Sequence, residues 1–292
     1  MNLSITGYST ALFSTWYFIE ELGLLFDAGE GLTSALLQKS RKVTHVFISH
    51  ADRDHLTGLL QFNQLNARPG FPVIHFPKDS GSFTAIETFS KKFDPHVSGT
   101  VWQPLDDGAI ITVKDSIEVQ AVRNSHVPAQ KETIKSLSYK VLQVKSKLKK
   151  EFTTLSPNEI RTLSLEKGKD FTTEKISTNI LSYSGDTPVE GYATWDQSKI
   201  LIHEATFLGG DEGTAVKTHG NKHSTLEEVM KMVSEIKIEV LILGHFSSRY
   251  APEQIDNRIK ELHKKYNLKI PVFRILPGAT VFNILQTPPL CE

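Results

Sequence analysis

Hydrophobic residues follow two different periods along this chain, and each period predicts a different kind of element. Short apolar runs of about four to eight residues, rich in β-branched side chains, are typical of buried strands. Four runs of this kind are VTHVFIS, IEVQAVRN, ILSYSG and VLILG. Apolar residues also recur at helical spacing from Leu226 to Ile236 and from Ile255 to Tyr266, which predicts two amphipathic helices in the second half of the chain.

The N-terminal part of the chain predicts a β-hairpin that leads into a helix. Strand-like runs extend from Leu3 to Thr6, from Trp16 to Ile19 and from Gly23 to Asp27, and the turn residues DAGEG lead into a helical stretch at about Leu32 to Ser40. This mixture of strands and helices belongs to the α/β class. We therefore expect a sandwich of sheets covered by helices on their outer faces, with functional residues on the loops that leave the strand ends.

Composition narrows the possibilities further. The chain has 292 residues, of which 39% are hydrophobic, so we predict one domain over residues 1–292 with a lysine-rich insertion at residues 131–175. The 33 basic residues balance the 33 acidic ones, so the overall charge attracts the protein to neither nucleic acid nor membrane. Cys291 is the one cysteine, which excludes an intrachain disulfide and a cysteine metal cluster and favours the cytoplasm. We expect no membrane association, because no apolar run reaches the roughly 18 residues of a spanning helix.

Residues that bind metal ions directly follow each of the four strand-like runs. In an extended segment alternate side chains share a face, so His50 and Asp52 can point at one ion while Asp54 and His55, at the start of a helix, turn toward a second. Imidazole and carboxylate groups bind Zn²⁺, Mn²⁺ or Fe²⁺, and a carboxylate can bridge two cations. Each of these residues taken alone could be a structural residue or part of a polar loop. The combination predicts a pair of divalent metal ions held by His50, Asp52, Asp54, His55, His126, Asp186 and His245.

Five short motifs are similar to those of a known family. The chain carries LLFDAGEG, where that family has LLFDCGEG, followed by GDT at Gly185–Thr187, HEATF at His203–Phe207, HST at His223–Thr225 and HFSSRY at His245–Tyr250. On these motifs, which span most of its length, the sequence resembles the metallo-β-lactamase superfamily and, within it, the ribonuclease Z (tRNase Z) branch of tRNA 3′-processing endonucleases. The resemblance implies an αββα sandwich with two central mixed β-sheets flanked by helices.

The same resemblance implies a role for each site residue. Water between the two ions would be the nucleophile, with Asp54 orienting it. His223 would be the general acid, held by Glu204, although a residue next to a helix N-cap is the simpler interpretation of His223. Arg249 and Ser247 would bind the substrate phosphate, and a homodimer is also implied. The first ion would be held by His50, Asp52 and His126, and the second by Asp54, His55 and His245, with Asp186 bridging them.

The sequence departs from the family pattern at three places. The family's HxHxDH reads HADRDH here, so Asp52 replaces a histidine, adds a negative charge and shifts the metal preference from Zn²⁺ toward Mn²⁺ or Fe²⁺. The segment GYSTALFSTW lacks the usual Pro-Thr…Arg-Asn loop, and no Gly/Pro-rich arm lies between His126 and Asp186. In place of that arm are lysines that contact either RNA phosphates or only solvent, namely Lys140, Lys145, Lys147, Lys149 and Lys150.

Three functions remain open on the sequence alone. The motifs beyond the metal ligands favour a phosphodiesterase or endoribonuclease that acts on precursor tRNA. The missing tRNA-binding elements favour a hydrolase of a small phosphodiester or ester, such as a cyclic nucleotide. The third hypothesis is a non-catalytic binding protein whose metal site has degenerated through Asp52.

Overall fold

Two β-sheets form the centre of the structure, a computed structural model that describes residues 3–209 and 222–292. Within these residues, each sheet has seven strands and mixes parallel with antiparallel pairs. The strands are β1 (Ile5–Thr10), β2 (Ser14–Ile19), β3 (Leu24–Phe26), β4 (His45–Phe47), β5 (Val73–Pro77), β6 (Val101–Leu105), β7 (Ile110–Lys114), β8 (Ile117–Arg123), β9 (Leu137–Leu148), β10 (Thr173–Tyr183), β11 (Ser198–Glu204), β12 (Ile238–Gly244), β13 (Val272–Arg274) and β14 (Thr280–Val281). The first sheet has the order β14-β1-β2-β3-β4-β5-β6 and the second the order β13-β12-β11-β10-β9-β8-β7.

Helices connect the strands and cover the sheets. The α-helices are α1 (Leu32–Leu36), α2 (Arg53–Leu56), α3 (Leu59–Asn66), α4 (Gly81–Phe93), α5 (Pro157–Lys167), α6 (Lys169–Thr172), α7 (Leu226–Glu235) and α8 (Pro252–Lys265). Short 3-10 helices lie at Glu20–Leu22, Leu37–Lys42, Pro95–Gly99, Lys150–Phe152, Tyr192–Thr194 and Ile284–Gln286. No helix among the described residues is long and apolar enough to span a membrane.

Strand β2 shows how the sheets bury both of their faces. All six of its residues are buried, and its side chains alternate between two hydrophobic clusters. Tyr17 and Ile19 face the second sheet, whereas Trp16 and Phe18 pack against residues of α1, α3 and α4. A third cluster joins the outer face of the second sheet to α7 and α8. The molecule therefore has four layers, helix, sheet, sheet and helix, as the family resemblance implied.

The four strand-like runs are confirmed as β4, β8, β10 and β12, and the two periodic stretches as α7 and α8. The helical stretch from Leu32 to Ser40 was only partly correct. The α-helix ends at Leu36, because Leu37 adopts a positive φ of 49° that an α-helix cannot contain, and the chain continues as a 3-10 helix.

The helix expected after His55 is interrupted at Gly58, which lies between α2 and α3. Its backbone N–H donates to the Ala28 carbonyl at 2.8 Å. A Cβ atom at this position would collide with the carbonyl oxygen of Gly29. The close approach of the two backbones therefore requires glycine, and it fixes α2 against the loop after β3.

The lysine-rich stretch at residues 131–175 is folded. It contains β9, α5, α6 and the start of β10, and β9 pairs with β10 in an antiparallel register that joins Lys147 to Glu174. Its helix α5 begins with a capping box between Ser156 and Glu159. That these residues are an insertion within one domain over 1–292 stays a prediction, and part of that range lies outside the described residues.

Candidate metal centre

The candidate site lies where loops leave strands of both sheets. The structure brings together all the residues that the sequence predicts as metal ligands, in groups whose ligand atoms lie within 4.8 Å of one another. The loop after β4 carries His50, Asp52, Asp54 and His55, the loop after β8 carries His126, the loop after β10 carries Asp186, and the loop after β12 carries His245.

The first group consists of His50, Asp52 and His126. The Oδ2 atom of Asp52 lies 3.5 Å from Nε2 of His50 and 3.8 Å from Nε2 of His126. Both imidazoles are fully buried, whereas 48% of the Asp52 side chain is exposed. Asp52 therefore occupies the solvent side of this group.

The second group consists of Asp54, His55 and His245, all of which are buried. The Oδ2 atom of Asp54 lies 3.5 Å from Nε2 of His55 and 3.3 Å from Nε2 of His245. The backbone N–H of Leu12 donates to the same oxygen at 3.0 Å. The loop between β1 and β2 is thus attached to the second group through Asp54.

Asp186 lies between the two groups. Its Oδ2 atom is 3.8 Å from Nε2 of His50, 3.3 Å from that of His55 and 3.2 Å from that of His245. Gly185 before it has a positive φ of 56°, and a Cβ there would lie 2.7 Å from the Cβ of Ser49. Glycine therefore allows the chain to turn the Asp186 carboxylate into the centre.

The opposite ring nitrogen of each ligand histidine is held by a neighbouring group. Asp27 lies 2.7 Å from Nδ1 of His55, and the Lys222 carbonyl lies 2.7 Å from Nδ1 of His126. Because a carboxylate and a carbonyl can only accept, these imidazoles carry a proton on Nδ1, and Nε2 is the nitrogen that faces the centre. Ser49 and Thr206 hydroxyls contact Nδ1 of the other two imidazoles, at 2.9 Å for His50 and 2.8 Å for His245.

These atoms fit divalent cations. Among the described residues, the Nε2 atoms of His50, His55 and His126 are buried and have no hydrogen-bond partner, which is costly unless they bind something. Two ligands of a tetrahedral ion with bonds of about 2.0–2.1 Å lie about 3.4 Å apart. The distances from Nε2 atoms to carboxylate oxygens in this site, 3.2 to 3.8 Å, agree with that separation.

The charged groups of the site control one another's protonation. Burial disfavours a charged His55, but the Asp186 and Asp27 carboxylates outweigh it and raise the pKa of His55 well above its usual value. Burial also opposes ionisation of Asp186, yet His245 and His55 hold its pKa well below the ordinary range. The neighbouring imidazoles of His126 and His50 lower the pKa of Asp52. Protons would therefore compete with divalent cations for the Nε2 atoms of these imidazoles.

Asp27 is an essential part of the site that the sequence analysis did not single out. Its Oδ1 accepts the backbone N–H of Ser49 at 2.6 Å, and its Oδ2 accepts the Ser49 hydroxyl at 2.8 Å and contacts Nδ1 of His55. The Tyr183 hydroxyl, which comes from the second sheet, also donates to Oδ2. The available signal was the LLFDAGEG motif, in which an acid directly follows a buried strand.

The partly buried His223 and the buried Glu204 form a pair beside these groups. The Nδ1 atom of His223 lies 3.1 Å from Oε1 of Glu204 and 3.8 Å from Oδ2 of Asp186. The backbone N–H of Thr187 and the Thr206 hydroxyl hold the Glu204 carboxylate, at 2.8 and 2.5 Å. Burial lowers the pKa of His223, but the Glu204 and Asp186 carboxylates outweigh it and raise this pKa to about 9.

The simpler interpretation of His223 as a helix-start residue does not describe its position. Thr225 is the N-cap of α7 and forms a capping box with Glu228, so the helix start is satisfied without the imidazole. The His223 ring instead stacks on the ring of His245, with centroids 5.5 Å apart. His223 therefore belongs to the candidate site.

Ser247 and Arg249 lie at the edge of the site. The Nε atom of Arg249 donates to the Ser247 hydroxyl at 3.0 Å, and its guanidinium lies 5.5 Å from the centre of the Phe207 ring. The Phe207 ring meets His223 edge-on at 6.2 Å. Arg249 is thus exposed and one aromatic ring away from the His223–Glu204 pair.

Known proteins share this fold. Residues 23–246 match the family described as beta-lactamase superfamily domain. Among solved structures, the metallo-beta-lactamase fold protein YhfI from Bacillus subtilis aligns with a TM-score of 0.63 over 96% of this chain and 99% of that chain, at 15% sequence identity. This likeness confirms the predicted sandwich of two mixed sheets flanked by helices.

Two curated relatives are similar over most of their length. Ribonuclease Z of Bacillus licheniformis is 30% identical over 262 residues, which cover 81% of this chain and 82% of that protein. The tRNase Z TRZ1 of Arabidopsis thaliana is 28% identical over 274 residues, or 89% of each chain. The chain therefore belongs to the beta-lactamase superfamily and, within it, to the ribonuclease Z family, which confirms the resemblance of its motifs.

We expect Asp27→Asn to lower the free energy of unfolding by about 3 kcal/mol, because a neutral amide leaves buried donors on Ser49, His55 and Tyr183 poorly matched. Urea denaturation at neutral pH measures this change. The matched control is Asp79→Asn, which removes an exposed carboxylate that accepts from the backbone of Ile134. A loss no larger than that of the control would show that Asp27 does not organise the site.

Proposed function

We propose that this protein is a metal-dependent phosphodiesterase of the ribonuclease Z type, which cleaves precursor tRNA at its 3′ end. The observation that carries the proposal is the His223–Glu204 pair beside the candidate metal-binding groups. A hydrolase whose leaving group is a strongly basic ribose oxygen needs such a proton donor, whereas metal-binding groups alone serve many chemistries. The printed names of the relatives, ribonuclease Z and tRNase Z, support the same substrate class.

We assign two divalent cations to the centre, one held by the group of His50 and the other by the group of His55, with Asp186 between them. Zinc is the metal we expect, with manganese or iron favoured at the first position because Asp52 supplies a hard oxygen ligand. Bound there, the cations would lower the pKa of a water molecule and neutralise charge on the phosphoryl oxygens. The buried Nε2 atoms of His50, His55 and His126, which have no hydrogen-bond partner, support this assignment.

His223 is assigned as the general acid. Its Nδ1 is occupied by Glu204, so the proton for the leaving oxygen comes from Nε2. The Glu204 carboxylate raises the pKa of the imidazole and so favours its charged form, and the hydrogen bonds that hold Glu204 fix the orientation of the ring. Glu204 therefore acts through His223, as a positioning residue.

The remaining roles concern the attacking water and the substrate phosphate. Asp54 has one oxygen at the centre of the second group, where it would hold a cation and orient the attacking water. Arg249 is assigned to the phosphate, since its planar guanidinium is exposed and held by Ser247 near the His223 pair. Ser247 contributes by keeping the guanidinium in place.

The proposal also includes a cellular location and an assembly state. Cys291 is the single cysteine of the chain, which favours a reducing compartment, and we place the protein in the cytoplasm. A homodimer is what the family resemblance implies. Both stay predictions.

Asp52→His should raise Zn²⁺-supported activity relative to Mn²⁺-supported activity, because a neutral imidazole replaces a hard anionic ligand in the first group. Initial rates with each metal, measured on the same metal-stripped and reloaded protein, give the ratio. Asp115→His, on an exposed turn, is the control. An unchanged ratio would show that Asp52 is not a ligand.

His223→Ala should cripple cleavage of a 3′-extended precursor tRNA by about 10²–10⁴-fold, the usual contribution of general acid catalysis. Hydrolysis of bis(p-nitrophenyl) phosphate should be spared, because p-nitrophenolate leaves without a proton. Both rates are measured with metal content determined on the same samples, and His263→Ala on α8 is the control histidine.

Glu204→Gln should show the same contrast between the two substrates, but more weakly, because it releases the orientation and charge of the imidazole. If His223→Ala loses activity equally on both substrates while its metal content is unchanged, His223 is a structural residue and not the general acid. Hydrolysis of bis(p-nitrophenyl) phosphate without any cleavage of precursor tRNA by the wild-type protein would instead favour a small phosphodiester as substrate.

A further inference from the structure

Aromatic side chains are exposed on the loop that joins β1 to β2 and next to β14. The Phe13 side chain is 61% exposed, and Phe282, next to β14, is 53% exposed. Exposed rings are unfavourable in water, and a group of them beside a reaction centre is typical of a ligand-binding surface.

The loop is held rigidly against the metal-binding groups. The backbone N–H of Ala11 donates to the Phe246 carbonyl at 3.3 Å, and that of Leu12 donates to the Asp54 carboxylate at 3.0 Å. Leu12 adopts a positive φ of 70°, which is unfavourable for a residue with a Cβ atom. A strained backbone fixed to a functional carboxylate places Phe13 at a defined position beside the site.

Phe13 forms part of the wall of two adjacent cavities. The first has a volume of about 520 Å³ and is lined by the rings of Tyr8, Phe13, Trp16 and Phe282. The second, of about 560 Å³, is lined by Tyr8 and Phe13 together with Arg249. A flat aromatic group can therefore enter the first cavity while a phosphate joined to it lies toward the guanidinium of Arg249.

We propose that the first cavity binds a purine base of the RNA substrate, stacked on Phe13, next to the cleaved phosphodiester. This inference rests on the proposed phosphodiesterase function. Stacking on aromatic side chains is the common way in which proteins hold an unpaired base, because every base offers a flat face. The cavity is large enough for a base, and its aromatic lining suits a base better than a sugar or a phosphate.

Glu30 makes guanine the preferred base. Among the described residues that line the first cavity, it is the one with a charge, and the Ser14 hydroxyl fixes its backbone by donating to its carbonyl oxygen at 2.8 Å. A carboxylate accepts hydrogen bonds from N–H groups, and guanine offers two adjacent N–H groups on its Watson–Crick edge. Adenine offers only its amino group there, so the cavity should distinguish the two purines.

The test is a calorimetric titration of the metal-loaded protein with GMP, AMP and ribose 5-phosphate. All three carry the same phosphate, so the difference between GMP and ribose 5-phosphate isolates the base. We expect GMP to bind more tightly than ribose 5-phosphate by about 5- to 100-fold, the range that stacking of one base supplies. Phe13→Ala should abolish this difference, Phe13→Tyr should retain it, and Glu30→Gln should narrow the preference for GMP over AMP.

Phe93→Ala is the matched control, because Phe93 is an exposed phenylalanine on α4, outside both cavities. Equal affinities of the wild-type protein for GMP and ribose 5-phosphate would overturn the proposal, as would an equal loss of affinity for both ligands in Phe13→Ala. Equal binding of AMP and GMP would overturn the role of Glu30. A preference for GMP that depends on Phe13, in a protein that cleaves no RNA, would support the base site and contradict the proposed function.

Discussion

The carboxylate of Asp27 is the interaction on which the rest of the site depends. It lies at the end of β3 in the first sheet and accepts hydrogen bonds from Ser49 in the next loop, from His55 and from Tyr183 in the second sheet. A buried carboxylate is stable only when it is saturated with donors. One buried group therefore joins the two sheets at the point where their loops converge, and it fixes the tautomer of a candidate ligand at the same time.

The requirement that buried charged groups have partners also applies to the other carboxylates and imidazoles of the site. Carboxylates and imidazoles lie at 3.2 to 3.8 Å from one another in a water-poor region, where like charges cannot accumulate without partners. The outer nitrogens of the imidazoles are held, and their inner nitrogens are directed at Asp186 and its neighbours. A site built in this way is organised by the fold in advance, so the proposed cations would bind without rearrangement of the side chains.

The strands that lead to the site, and the convergence of the candidate ligands, could be predicted from the sequence. Each of the four apolar runs ends where a ligand-type residue begins, and because strand ends of a sandwich converge, the order of these residues along the chain was enough to predict that they meet. The contacts that orient them could not be predicted. The carbonyl of Lys222 holds His126 across 96 positions of sequence, and no local pattern records such a contact. The break at Gly58 between α2 and α3 could not be predicted either, because it depends on the backbone of Gly29 and not on the spacing of hydrophobic residues.

The central claim is that the site holds two divalent cations on these side chains. Anomalous X-ray scattering from crystals of the metal-loaded protein, with elemental analysis of the same preparation, tests it most directly. We predict two anomalous peaks, one beside Nε2 of His50 and His126 and one beside Nε2 of His55 and His245, with Asp186 between them. A single peak, or peaks away from these nitrogen atoms, would contradict it.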